Sequence, residues 1–403
     1  MNGNKDRESR RRHCMLVHAY YPLGEPRVER EARALIRHAY DVDVICLRNH
    51  GEAPVESVDG VTVYRLPVQR HKGRGLAVQL LEYLVFFALA FIKLIALHRR
   101  RRYRVVQAHN LPDFLVFAAL WPKLTGARLI LDLHDLMPEF YAARFGGSLA
   151  SWPVRLVRWQ ERLSCRFADH VITVSDHWRQ ALIRRGVPAH KCSVVMNVAD
   201  ENIFLWQGNG SLRPPNKSKF RLIYHGTIVQ RYGLDLAIQA INRVRHEIPD
   251  IHLTILGKGD YVDTLIQMAR ELNLHHHVTI VNDIRPAEEL PGIIRTADVG
   301  IVPYRNDIFT DALLPTKLME YAALGLPAIA ARTTAIETYF SDTMAEFFEP
   351  GNIDDLAQCI RNLYESPERL AELAQGSQKF NERYNWSKIG ADYVALVERL
   401  RTR

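Results

Sequence analysis

The segment 314–327, Leu-Pro-Thr-Lys-Leu-Met-Glu-Tyr-Ala-Ala-Leu-Gly-Leu-Pro, groups residues able to hold a phosphorylated ligand. Pro315 suits a helix start, where its missing N–H would have no partner anyway. The free N–H groups of the first turn, around Thr316 and Lys317, can receive a phosphate with the helix dipole behind them. Lys317 adds a cation. Glu320, one turn on, can accept hydrogen bonds from two ribose hydroxyls. Gly325 suits the helix end and Pro327 stops its continuation. The same residues also fit an ordinary capped helix with a surface glutamate.

Several smaller signals follow predicted strands. His134 has Asp135 and Glu139 close by in sequence; on the residues alone a histidine satisfied within the fold is the plainer reading. His109 and His18 also stand at strand ends. Gly257-Lys258-Gly259-Asp260 is a glycine-containing loop without a full dinucleotide or phosphate-loop pattern. Asn282 is placed to touch a base, or is simply loop. His275, His276 and His277 are adjacent and cannot all face one ion, so they read as a solvated turn. Asp41 and Asp43 enter a strand and are not read as metal ligands; no metal site is expected.

Positioning such residues requires regular elements. Short apolar runs alternate with helical patterns almost from end to end, which argues for parallel sheets covered by helices on both faces. Strands are expected over 15–19, 43–47, 61–66, 105–108, 128–133, 170–174 and 192–196. A second set is expected over 221–225, 252–256, 278–281, 299–302 and 328–330. Residues 206–218, rich in Gly, Pro, Ser and Asn, read as a linker. The expected division is an α/β domain over 1–205, the linker 206–218, a second α/β domain over 219–384, and a closing amphipathic helix over 385–403. That helix could pack on its own domain or cross back to the first. In open α/β sheets ligands bind beyond the carboxyl ends of the strands.

The chain has 403 residues, 47% apolar and 24% charged, with a formal net charge of +8. That composition supports a sizeable core, and the basic excess favours anionic partners. The five cysteines are scattered, with no Cys-x-x-Cys pair, as in a reduced cytosolic protein. No secretory signal is read in the basic start. The arginines are not interleaved with stacking aromatics, so nucleic acid is not expected as a partner.

Five segments, in order, resemble glycosyltransferase family four. The run from His18 through Gly24 to Arg27 and Val28 is similar to the family's first strand and glycine loop. Asp132 to Glu139 is similar to its central acceptor-side loop. Val194 to Phe204 is similar to the segment closing its first domain, with Val198 and Ala199 as departures. His225-Gly226-Thr227, continuing through Arg231 and Gly233 to Asp235, is similar to the first loop of its donor domain. The segment 314–330 is similar to its nucleotide-sugar motif.

The resemblance implies an α/β GT-B fold, two Rossmann-like doubly wound domains facing a central cleft, and transfer with retention of anomeric configuration. It implies a UDP- or GDP-linked sugar donor in the second domain, an acceptor on the first, and no metal or other cofactor. Carried across, Gly226 and Thr227 line the donor loop, with Gly257, Lys258 and Asn282 near the nucleotide. Arg231 holds phosphate, Pro315, Thr316 and Lys317 cradle it, and Glu320 binds ribose. His134 sits beside the transferred sugar, with Gly24, Arg27, His109 and Asp135 on the acceptor side. Two departures stand out. Ala312 replaces the family's first glutamate, leaving Asp311 or Asp307 to substitute. Tyr232, in one register, stands where a lysine is usual. An epimerase of the same fold and a non-catalytic sugar- or lipid-binding scaffold are the rival readings.

Residues 76–97 are strongly apolar and long enough to span a bilayer. A span there would cut the first sheet between its third and fourth strands, so a covering helix is expected instead. The arginines at 99–102 directly after it suit an anionic membrane surface; a buried helix with a solvated basic end fits equally. The expected acceptor is a glycan or lipid-linked glycan, presented at the cytoplasmic face of a membrane.

Overall fold

The structure is a computed structural model that describes residues 11–22, 25–70, 75–144, 148–205 and 219–402. The chain forms two compact units. The first runs to Asn197 and takes in Lys388 onward; the second is Val198–Ser387. The change of unit thus precedes residues 206–218, and the linker expected there lies outside the described residues.

The first unit is built on strands β1 (Arg12–Tyr20), β2 (Asp41–Leu47), β3 (Val55–Val58), β4 (Val61–Leu66), β5 (Val105–His109), β6 (Arg128–Leu133), β7 (His170–Thr173) and β8 (Cys192–Val194). Their order is β3-β4-β2-β1-β5-β6-β7-β8, all neighbours parallel except β3 and β4. The second is built on β9 (Phe220–His225), β10 (Ile251–Leu256), β11 (Val278–Val281), β12 (Val299–Val302), β13 (Ala328–Ala331) and β14 (Glu346–Phe348), wholly parallel in the order β11-β10-β9-β12-β13-β14. Central strands such as β1, β5 and β12 are buried along nearly their whole length, as parallel strands covered on both faces must be, with His13, His18, Gln107 and His109 as the buried polar exceptions.

Each sheet starts in its middle and grows first to one side, then to the other. The reversal falls between β1 and β5 in the first unit and between β9 and β12 in the second. Such a switch point leaves a crevice beyond the strand ends. Two expectations need correcting. β3 and β14 were not expected. Pro315 is the cap residue rather than the first helical one, the helix being Thr316–Leu324.

The apolar stretch is a helix, Leu76–Arg101. Tyr83, Phe86, Ala90 and Leu94 are buried on its inner side, and the His18 ring packs edge-on to Tyr83 and Phe86 at 4.8 and 5.1 Å. From Lys388 on, the helix Trp386–Arg401 belongs to the first unit. There Tyr393 donates its hydroxyl to Gln107 Oε1 at 2.8 Å, and Tyr40 donates to Glu398.

Candidate active site

In the second unit, candidate residues gather beyond the ends of β9, β10 and β12. Gly226 follows β9 with φ 116°. Gly257 follows β10, and a Cβ there would lie 1.7 Å from the Gly226 carbonyl oxygen. The two strand-end loops cross backbone to backbone, which only glycine permits. Gly233, at φ 66°, meets Pro303 beyond β12 in the same way, at 1.8 Å.

Lys317, in the first turn of Thr316–Leu324, lies in this crossing. Its Nζ donates to the Tyr304 hydroxyl at 2.6 Å. It also stands 4.9, 5.1 and 5.0 Å from the ring centres of Tyr224, Tyr232 and Tyr304. Tyr224 is the last residue but one of β9 and Tyr304 follows β12, so the three rings enclose the ammonium at the switch point. Burial pulls the Lys317 pKa down to about 8, against the pull of Glu320; the facing π-clouds favour the charged form. A Cβ at Gly226 would touch the Lys317 Cε at 3.4 Å, so the glycine also makes room for the chain. Glu320, one turn on, approaches His225 Nε2 at 3.2 Å.

The other donor candidates spread around this point. The Arg231 guanidinium lies over the Phe309 ring at 5.5 Å. Thr227, Lys258, Asn282 and Thr316 are exposed. The Thr227 carbonyl accepts from the Tyr224 hydroxyl at 2.6 Å. Asp311 and Asp307 both serve the backbone: Asp311 Oδ1 accepts from the Thr334 N–H at 2.9 Å, capping the next helix, and Asp307 Oδ1 accepts from Phe309 and Thr310, each at 2.8 Å. Ala312 is buried. His276 and His277 stand in a surface turn, with carbonyl and imidazole bonded to His252 and Ile251 at 3.0 Å.

In the first unit the organising residue is Asp132, fully buried at the end of β6. Arg27 grips both of its oxygens at 2.9 Å, and also donates to the Val195 carbonyl at 2.6 Å. His109 Nδ1 and His134 Nε2 approach the same oxygen, Oδ2, at 2.9 and 3.0 Å. Burial works against charge on His134, yet Asp132 outweighs it and raises the pKa. Burial dominates at His109 and lowers its pKa to about 4. Burial also opposes charge on Asp132, but Arg27 and His134 hold its carboxyl well below the usual range. Asp132 is thus held as a carboxylate against the Arg27 guanidinium, and charge is favoured on His134 over His109.

His134 Nδ1 lies 3.6 Å from Glu25, whose pKa burial raises. Asn110 sets the loop: its Oδ1 accepts from the His134 N–H at 2.8 Å, and its Nδ2 donates to the Asp135 carbonyl at 2.6 Å. Gly24 lies outside the described residues. Sequence reasoning assigned no role to Asp132, Asn110, Glu25 or the three tyrosines. A polar residue inside the apolar run of β6 was the available signal for Asp132.

The ligand atoms of His109, Asp132 and His134 lie within 4.8 Å of one another, a spacing a cation could use. Arg27 argues against that, since it takes both carboxylate oxygens and would repel an ion there.

The two candidate sites are thus a buried lysine at a helix start beside one switch point and a buried carboxylate shared by an arginine and two histidines in the other unit. Residues 24–197 match the model for a glycosyl transferase 4-like domain, and residues 212–380 that for glycosyl transferases group 1. The chain belongs to the GT-B glycosyltransferases of the family-four type. A GDP-mannose-dependent alpha-(1-6)-phosphatidylinositol monomannoside mannosyltransferase from Mycolicibacterium smegmatis is 29% identical over 42% of this chain and 45% of that enzyme. A chitobiosyldiphosphodolichol beta-mannosyltransferase from Debaryomyces hansenii is 22% identical over 97% of this chain and 89% of that one. Among solved structures, Anabaena HepE in complex with UDP superposes with a TM-score of 0.69 at 17% identity, covering 96% of this chain and 100% of that one.

Proposed function

We propose that this glycosyltransferase moves a sugar, with retention, from a UDP- or GDP-linked donor to a lipid-linked glycan in glycolipid or polysaccharide assembly at the cytoplasmic face of a membrane. The observation that carries the donor half is Lys317, held among three tyrosines at the start of a helix and at a sheet switch point. As the acceptor oxygen bonds to the anomeric carbon, the bond to the diphosphate breaks, the nucleotide leaves with its electron pair, and the acceptor's hydroxyl proton passes to the departing phosphate oxygen. Negative charge builds on the departing phosphate, and pre-placed donors stabilise it. Lys317, Arg231 and the N–H groups at Thr316 would meet that charge, and Glu320 would bind ribose. Lys317 takes over from the cation missing at Tyr232. His134, fixed through Nε2 on Asp132, would offer Nδ1–H to the transferred sugar.

Both mannosyltransferase relatives bear names with lipid-borne acceptors, which supports the acceptor half, as do the exposed apolar residues Leu81, Leu84 and Ile92 on the helix Leu76–Arg101. Basic groups in place of a cation make the reaction independent of added metal.

The test is transfer from each nucleotide sugar to lipid-linked acceptors, with chelator present. His134→Ala is expected to lower kcat by at least ~100-fold with donor affinity kept, and Glu320→Ala to weaken donor binding about 10-fold. Activity surviving His134→Ala, or a strict demand for metal, would overturn those assignments. An inverted anomeric centre in the product overturns retention alone.

A further inference from the structure

Three crossovers of the first unit, β4 to β5, β5 to β6 and β6 to β7, advance across the sheet in one direction. Right-handed connections then place their helices on one face. They include Leu76–Arg101, the turns Asp113–Ala119 and Leu120–Leu124, Met137–Arg144, and Trp152–Phe167. They lie side by side: Phe114 meets Phe87 edge-on at 5.9 Å, and Phe117 lies 4.9 Å from Phe167.

The outer side of this layer is apolar. On Trp152–Phe167, Trp152, Leu156, Trp159 and Leu163 form one stripe at helical spacing, with Trp152 77% and Trp159 59% exposed. On Leu76–Arg101, Leu81 and Ile92 are 61% and 65% exposed. Between them Trp121 and Leu124 point outward. Contiguous apolar surface on neighbouring elements marks an interaction site.

Its charge is one-sided. The only acid in Leu76–Arg101 is Glu82 and the only acid in Trp152–Phe167 is Glu161, and both are buried. Glu161 is taken by Arg185, both oxygens at 2.9 Å. Arg99, Arg100, Arg155, Arg162 and Arg166 are exposed around the apolar stripes. Arg101 is not part of that fringe: it binds the buried Asp43 at 2.7 and 2.9 Å.

We propose that this face seats on an anionic lipid bilayer, with Trp152–Phe167 lying in the interface plane beside Leu76–Arg101. A helix with Trp and Leu on one side and arginines flanking them sinks roughly 5–10 Å into the headgroup boundary. Tryptophan prefers that depth. A second copy meeting this face symmetrically would set arginine against arginine. The proposal extends the lipid-linked acceptor reading, but its test needs neither donor nor acceptor.

The full chain is floated with vesicles of phosphatidylcholine alone, or mixed equally with phosphatidylglycerol, at low salt, and tryptophan emission is followed with brominated lipid. Binding only to the anionic vesicles, with quenching, is expected. Leu156→Asp with Trp159→Asp is expected to reduce binding at least ~10-fold, and Arg155→Glu with Arg162→Glu likewise. Thermal shift with UDP and GDP reports that the variants stay folded. Wild-type protein that ignores anionic vesicles, or an aspartate variant that floats as well as wild type, overturns the proposal. So does a dimer that the aspartates split without any vesicle binding. Nucleotide binding without vesicle binding sinks this proposal alone; vesicle binding without nucleotide binding sinks the donor reading alone.

Discussion

Lys317 is an ammonium with almost no water around it, and its proton is correspondingly loose. With a pKa near 8, it loses charge in mildly alkaline buffer. Affinity for UDP or GDP is therefore expected to fall as pH rises through 8, approaching ~10-fold per pH unit. Lys317→Met is expected to bind weakly at every pH, without that slope; calorimetric titration from about pH 7 to about pH 9 checks both. Without ligand the sign reverses. The folded-state pKa lies below the unfolded 10.5, so the unfolded chain holds more protons between about 8 and 10.5, and this group's contribution to stability grows across that window. The two histidines on Asp132 give a second residue-scale expectation. In proton NMR titrations His134 should titrate above 6.5 and His109 near about 4. A His134 midpoint below 6.5 would mean that Asp132 does not hold the charge assigned to it.

Among the elements, the strand-end loops are the least tolerant. Gly257→Ala puts a methyl group into the Gly226 carbonyl, and two backbones cannot part without disturbing β9 and β10. A loss of about 2–4 kcal/mol with weakened nucleotide binding is expected in thermal denaturation. Gly292→Ala, in the helix Leu290–Ile294 with nothing within 4 Å of its new methyl, is expected to be neutral or stabilising by about 0.5–1 kcal/mol. At this scale much was legible. Each expected strand exists because buried parallel strands are written as continuous apolar runs. β3, Val-Glu-Ser-Val, escaped because it is an exposed edge with no such run; the Asp59-Gly60 turn before β4 was its only sign. β14 is three residues long and just as faint. The Trp152–Leu163 stripe could be read as periodic, but periodicity does not say whether a stripe faces a core or solvent. The tyrosine enclosure was hidden for another reason. Tyr224 and Tyr232 lie eight residues apart, but Tyr304 is distant in the chain and joins them only through the pairing of β9 with β12. Asp132 likewise gathers partners from β5, the loop after β6 and the helix Pro26–Arg37.

For the molecule as a whole, the division into units does not follow the order of the chain. The first unit is completed by residues 388–401, which bury Tyr393, Val394, Leu396, Val397 and Leu400. Five such side chains amount to roughly 10 kcal/mol of apolar burial, comparable to the net stability of a domain. Residues 1–197 alone are therefore expected to aggregate or stay molten. Fusing residues 386–403 to that fragment through a flexible linker should restore a cooperative melt by circular dichroism. A well-folded, soluble 1–197 fragment would refute this.

That same closing helix sets a timetable for biosynthesis. As the ribosome works from the amino end, the lobe translated first must wait with a greasy seam open, while the lobe translated second already has all of its parts. Nascent chains should therefore recruit chaperones through the early lobe until residues 388–401 have emerged, and a ribosome stalled between the two should leave the later lobe native and the earlier one unfinished.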